Sequence, residues 1–117
     1  MSKKILVVDD DADVRTFLTT VLQGAEYATV TAEDGAQALD IARREKPDLV
    51  ILDLAMPQQS GTDFYRNLSK DKELGHVPVI VVSGLAGRHL AVREPVAVFD
   101  KPIDPDEFLA AVEKALA

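Results

Sequence analysis

The chain has no cysteine, so it holds no disulfide and no thiolate metal site, and a reducing cytoplasm is its expected setting. It lacks any apolar run of the roughly 18 residues a membrane helix needs, so no membrane partner is expected. Nor does Met1-Ser2-Lys3-Lys4 lead into a signal peptide, because the apolar stretch Ile5–Val8 is strand-sized and stops in Asp9-Asp10-Asp11. A basic excess is missing as well. The formal net charge of −7 argues against direct nucleic-acid binding, since phosphate backbones attract basic faces. The same acidity is compatible with a site that gathers carboxylates around a cation. There is no internal repeat, linker or low-complexity tract.

What remains is an ordinary globular composition, 47% hydrophobic and 28% charged over 117 residues, which fits a single domain spanning residues 1–117. Short β-branched runs alternate with helical periods. Strands are expected at Lys4–Val8, Ala28–Thr31, Leu49–Leu52, Val77–Val82 and Val96–Phe99, several of them nearly continuous Val, Ile and Leu. That is the pattern of parallel strands covered on both faces. Val14, Phe17, Leu18, Val21 and Leu22 recur at helical spacing, with Gly24 as the stop. A second helix is expected from Gly35 to Arg44 and a third from about Gly61, with Phe64 and Leu68 inward and Gly75 past its end. The last carries Phe108, Leu109, Val112, Ala115 and Leu116, behind a start signal in Asp104-Pro105-Asp106-Glu107. Asp34 with Gln37 and Ser60 with Asp63 repeat the spacing of a capping residue and its third-position partner. The helical region between Gly84 and Pro95 has room for only a short helix.

In an open parallel α/β sheet, ligands bind beyond the carboxyl ends of the strands. Here those ends carry Asp9 and Asp10, then Asp53, then Ser83, then Lys101. One polar strand end would mean little; the joint pattern is informative. Carboxylates held close repel one another unless a cation neutralises them, and Mg²⁺ suits a hard site made only of oxygen, with Mn²⁺ as an alternative. A carboxylate is also a competent nucleophile toward phosphorus. An ammonium group and a hydroxyl, as on Lys101 and Ser83, suit the transferred phosphoryl oxygens.

Ile5-Leu6-Val7-Val8-Asp9-Asp10-Asp11 resembles the opening of the receiver domains of two-component response regulators. Pro47-Asp48-Leu49-Val50-Ile51-Leu52-Asp53-Leu54-Ala55-Met56-Pro57, followed by Gly61, is similar to their phosphoacceptor segment. Pro78-Val79-Ile80-Val81-Val82-Ser83-Gly84 and Asp100-Lys101-Pro102 match their two remaining motifs. The resemblance implies a flavodoxin-like, doubly wound α/β fold: a five-stranded parallel sheet in order 2-1-3-4-5, helices on both faces, and a shortened fourth helix. It implies that Asp53 accepts a phosphoryl group from a histidine kinase or phosphotransfer protein with Mg²⁺, switching a surface read by a downstream output protein. Asp10, Asp53 and the backbone carbonyl of Ala55 would hold the metal, with Asp9 acting through water. Ser83 would hydrogen-bond the phosphoryl group, and Lys101 would pair with it across a cis peptide to Pro102. Such a protein is a catalyst of its own modification and not a turnover enzyme.

Three rival readings fit less well. A receiver kept only as a binding module would be expected to lose Asp10, Asp53 or Lys101, and all are present. A phosphohydrolase with an aspartate nucleophile would typically carry a second aspartate where this chain has Ala55. A flavin-binding protein would need a hydroxyl-rich phosphate loop where Asp9-Asp10-Asp11 would repel phosphate. Asp11 is the better-placed helix cap, leaving Asp9 and Asp10 for the site. His76 and His89 have no ligand spacing and are expected on the surface.

The sequence departs from the family pattern between Ser83 and Lys101, where the segment is shorter than usual. The position that usually holds a switching Tyr or Phe is Val98, and Asp100 directly precedes Lys101, where an arginine such as Arg88 or Arg93 could pair with it. Two further positions set the lifetime of the acyl phosphate in this family. They are Ala55 and Leu85 here, and neither can orient an attacking water. The phosphorylated chain is therefore expected to lose its phosphoryl group more slowly than receivers with polar residues at those positions. A half-life of only seconds, followed by loss of radiolabel, would contradict this.

Overall fold

The computed structural model describes residues 3–53, 60–82, 97–99 and 103–117. In chain order the elements are β1 (Lys4–Val8), α1 (Ala12–Gly24), β2 (Ala28–Ala32), α2 (Gly35–Glu45), β3 (Leu49–Leu52), α3 (Ser60–Lys70), β4 (Val79–Val82), β5 (Ala97–Phe99) and α4 (Pro105–Leu116). The strands form one sheet in order β2-β1-β3-β4-β5, every pair parallel. This is the doubly wound order expected from the sequence. The expected short helix before β5, and with it Gly84 to Pro95 and Val96, lies outside the described residues.

Two-residue alternation along the strands divides the core into two layers. Leu6 and Val8, Val50 and Leu52, and Val79 and Val81 pack with Ala38 and Ala42 of α2 and Phe64 and Leu68 of α3. Ile5 and Val7, Leu49 and Ile51, and Ile80 and Val82 pack with Leu18 and Leu22 of α1 and Phe108 and Val112 of α4. Every residue of β3 and β4 is buried. Strands buried on both faces cannot slip by one residue without exchanging the two layers, so the register is strongly specified. Truncating one of these side chains, Leu52→Ala for example, belongs to a class of change that costs about 2–5 kcal/mol.

Element ends show where local chemistry differs from the sequence expectation. β4 starts at Val79 rather than Val77, because Val77 turns back to donate to the Leu74 carbonyl at 3.0 Å and Pro78 has no N–H for the ladder. Asp34 caps α2 through its Oδ1, which accepts from the Gln37 N–H at 2.8 Å, while Gln37 Oε1 accepts from the Glu33 N–H at 2.7 Å. Asp104 precedes α4 in extended conformation but makes no side-chain cap bond, so Pro105 at the first turn is what starts that helix. Ser60 is already the first residue of α3, which moves the cap position to residue 59, outside the described residues. Phe17 is 40% exposed, the one large hydrophobic on the outside among the described residues, so the inner stripe of α1 is narrower than its periodicity suggests.

The amino-terminal edge of the sheet is tied by charge. Lys4 Nζ donates to Glu45 Oε1 at 2.9 Å, and the Lys4 N–H donates to Asp48 Oδ2 at 2.9 Å. The hydrogen bond and charge of Lys4 hold the Glu45 carboxyl below its ordinary range. Asp71, whose side chain accepts from the backbone N–H groups of Glu73 and Leu74, is lowered as well.

Two glycines have opposite roles. A Cβ on Gly75 would lie 2.9 Å from the backbone oxygens of both Ser69 and Asp71, whereas one on Gly24 would meet nothing within 4 Å. Nor does Gly24 carry the left-handed turn after α1, which falls to Glu26 at φ 71°. Gly75→Ala is expected to cost about 1–3 kcal/mol, the range for forcing an extra carbon into a filled space. Gly24→Ala should instead gain about 0.5 kcal/mol by restricting the unfolded chain. Urea denaturation of both variants checks this pair, and a neutral Gly75→Ala would contradict the close approach.

Candidate metal and phosphoacceptor site

Asp9 and Asp53 reach the same place because β1 and β3 are neighbours in a fixed register. Val8 pairs with Leu52, and the Asp53 N–H donates to the Val8 carbonyl at 2.9 Å. On the other side, the Asp9 N–H donates to the Ala32 carbonyl at 3.2 Å, carrying the β1–β2 ladder one residue past the strand. Both aspartates therefore stand just beyond the carboxyl ends of central strands, where the covering layers still enclose them. Their exposures are 1% and 2%, and they are the only buried charged residues among those described.

Asp10 completes the group from the exposed side. One carboxylate oxygen from each of Asp9, Asp10 and Asp53 lies within 4.8 Å of the others. Like charges at that spacing raise one another's energy, and burial of two of them adds a desolvation cost. A divalent cation removes both penalties at once. A donor set of three carboxylate oxygens suits Mg²⁺ or Mn²⁺ and not a softer metal. The residues present thus fit the cation that the sequence implies.

Local hydrogen bonds decide which acidic side chain does what. Asp11 caps α1, its Oδ1 accepting from the N–H groups of Asp13 at 2.8 Å and Val14 at 3.4 Å. It is committed to the helix, as the sequence suggested. Asp9 Oδ1 accepts from the Asp11 N–H at 2.9 Å, which orients the Asp9 carboxylate. The Asp9 carbonyl accepts from Arg15 Nη1 at 2.7 Å.

Arg15 is the residue that sequence reasoning missed. It sits one turn into α1, and helical side chains lean back toward the helix start. An arginine four residues beyond the cap of a helix that follows an acidic strand end was the available signal.

Of the residues singled out from the sequence, Asp9, Asp10 and Asp53 come together. Ser83, Lys101 and Ala55 lie outside the described residues, as do Leu85, Asp100, Pro102, His89, Arg88 and Arg93. The backbone of Val98 pairs with Val81 in β5. His76 is exposed. A cavity of about 350 Å³ at the opposite, amino-terminal edge is lined by Lys46, Asp48, Glu73 and His76 among others. It is far from the acidic group and at the edge where such sheets do not place their ligands.

The chain is similar to several known proteins over nearly its whole length. The family described as response regulator receiver domain matches residues 5–113. Protein Rrf1 of Nitratidesulfovibrio vulgaris is 39% identical over 117 residues, covering 100% of this chain and 85% of that protein. The polar-differentiation response regulator DivK of Brucella ovis is 31% identical over 120 residues, covering 99% of this chain and 98% of its own. The solved structure of chemotaxis protein CheY4 of Vibrio cholerae superposes with a TM-score of 0.89 at 26% identity, covering 99% of this chain and 100% of that one.

A ligand that binds only the folded state stabilises it by mass action. Mg²⁺ at ten times its dissociation constant is expected to raise the unfolding free energy by about 1.4 kcal/mol. At the same concentration Asp10→Asn should gain distinctly less. Denaturant titrations with and without Mg²⁺ measure both, and equal gains would remove Asp10 from the ligand set.

Proposed function

The chain belongs to the response regulator receiver family, a family of phosphorelay signalling, and on that premise we propose that it accepts a phosphoryl group on Asp53 from a phosphohistidine donor. The observation that carries this reading is the joining of Asp53 with Asp9 and Asp10, within 4.8 Å, at the carboxyl edge of the sheet. A carboxylate is a poor nucleophile while its hydration water must still be stripped away and a better one when the fold has already done so. Asp53, at 2% exposure, is of the second kind.

In the transfer, an Asp53 carboxylate oxygen forms a bond to phosphorus as the phosphorus–nitrogen bond of the donor breaks. The electron pair stays on the imidazole nitrogen, which takes up a proton. Asp10, Asp53 and the Ala55 carbonyl would hold Mg²⁺ or Mn²⁺, with Asp9 acting through water. When bound, the cation supplies positive charge against the carboxylates and the phosphoryl oxygens. Ser83 is assigned to hydrogen-bond the phosphoryl group and Lys101 to pair with its charge. Support for these two comes from their motifs and from the strands before them: Val82 ends β4 and Phe99 ends β5 on the same edge, paired with each other.

The donor is a histidine kinase or a histidine phosphotransfer protein, and the reader of the new charge is an output protein or domain. The chain assists its own phosphorylation and dephosphorylation and turns over no other substrate. Its expected place is the cytoplasm, with neither membrane nor nucleic acid as a direct partner.

Incubation with Mg²⁺ and a small phosphodonor, followed by intact-mass measurement, tests the reading. Wild type should gain the mass of one phosphoryl group and Asp53→Asn should gain none. Beryllofluoride with Mg²⁺ should give an adduct with the same dependence on Asp53. No adduct on wild type with either reagent would end the phosphoacceptor reading and leave a binding module.

A further inference from the structure

We infer that Arg15 is a positioning residue for the metal-binding carboxylates, acting through the peptide bond between Asp9 and Asp10; this rests on the reading of Asp9, Asp10 and Asp53 as a divalent-cation site. Asp10 is exposed, so packing does not fix its direction. What directs it is the peptide plane before it, whose carbonyl belongs to Asp9. That carbonyl accepts from Arg15 Nη1 at 2.7 Å, a short bond to a charged donor. The guanidinium end is itself constrained, with the side chain only 16% exposed and its backbone N–H bonded to the Asp11 carbonyl at 3.0 Å in the first turn of α1.

The other bonds around this peptide act on different atoms. The Asp9 N–H is held by Ala32 and Asp9 Oδ1 by the Asp11 N–H. These fix Asp9 on its β2 side and its side chain. The Arg15 bond acts directly on the carbonyl of the peptide that leads into Asp10. The second contact of the guanidinium, Nη2 to Glu33 Oε1, is 3.5 Å long and involves a carboxylate 67% exposed, so it contributes little. The hold on the Asp9 carbonyl is the part of the arrangement that matters.

Two effects of Arg15 on a bound cation have opposite sign. As a nearby positive charge it opposes a second cation, so removing it would tighten binding. As a clamp on the ligand loop it favours binding, so removing it would loosen the site. Loss of outer-shell partners of metal ligands generally weakens binding by about 10–100-fold. If positioning dominates, the affinity falls on substitution; if charge dominates, it rises.

The experiment is an NMR titration with Mg²⁺ alone, following the backbone amides of residues 9 to 11, while amides of β3 and β4 report folding. Arg15→Met, which keeps the aliphatic stem, should bind Mg²⁺ about tenfold more weakly than wild type. Arg15→Lys, which keeps charge and a single donor, should fall between them. Equal or tighter binding by a folded Arg15→Met overturns the inference while leaving the site intact. If Arg15→Met does not fold, Arg15→Lys decides, and wild-type affinity in that variant overturns the inference. A wild type that binds no Mg²⁺ overturns both the inference and the metal site on which it rests.

Discussion

Mutual repulsion among Asp9, Asp10 and Asp53 is the constraint around which the described structure is arranged. Three carboxylates with oxygens within 4.8 Å, two of them essentially without solvent, would spread apart on a flexible surface. They stay together because two adjacent parallel strands deliver two of them. The Val8–Leu52 pairing and the Asp53 N–H bond to the Val8 carbonyl leave the Asp9 and Asp53 backbones no freedom to separate without breaking ladder hydrogen bonds. An unpaired buried backbone group costs about 1–3 kcal/mol, and several would have to be lost together. Stability of the sheet is thus converted into a fixed concentration of negative charge.

The sheet can resist that repulsion because it is locked from both sides. β1, β3 and β4 contribute alternate residues to two separate apolar layers, one under α2 and α3 and one under α1 and α4. Neither layer leaves room for a strand to shift. The opposite edge is closed differently, by ion pairs and hydrogen bonds such as Lys4 with Glu45 and with Asp48. Such half-buried surface contacts are individually weak. The amino-terminal edge is held by several weak polar contacts, whereas the carboxyl edge gathers three carboxylates.

Much of this was legible in the sequence, and what was not has a physical reason. Runs such as Leu49–Leu52 announced buried strands because burial on both faces removes the need for polar alternation. Asp9, Asp10 and Asp53 could be placed in one site because the parallel topology makes strand ends converge. Helix caps were read less well. Asp34 and Asp11 do cap, but Asp104 makes no side-chain cap bond, since a capping residue type states a capacity and not a geometry. Phe17 fits the helical period of the inner stripe yet lies 40% exposed, because the stripe a flat sheet can cover is narrower than the apolar arc on α1. Arg15 was harder to read: its partner is a backbone carbonyl, which every residue has, so only its place four residues past the Asp11 cap marked it.

A phosphoryl group on Asp53 would exchange one carboxylate charge for a dianion at a point already crowded with negative charge. Some part of the carboxyl edge must then move or re-pair, and the rigid strands narrow the choice. β1, β3 and β4 are fixed by the two apolar layers, and the Asp9–Asp10 turn is bonded to Ala32, Asp11 and Arg15. A switch needs an element with two accessible arrangements. By this argument the response lies outside β1, β3, β4 and the Asp9–Asp10 turn.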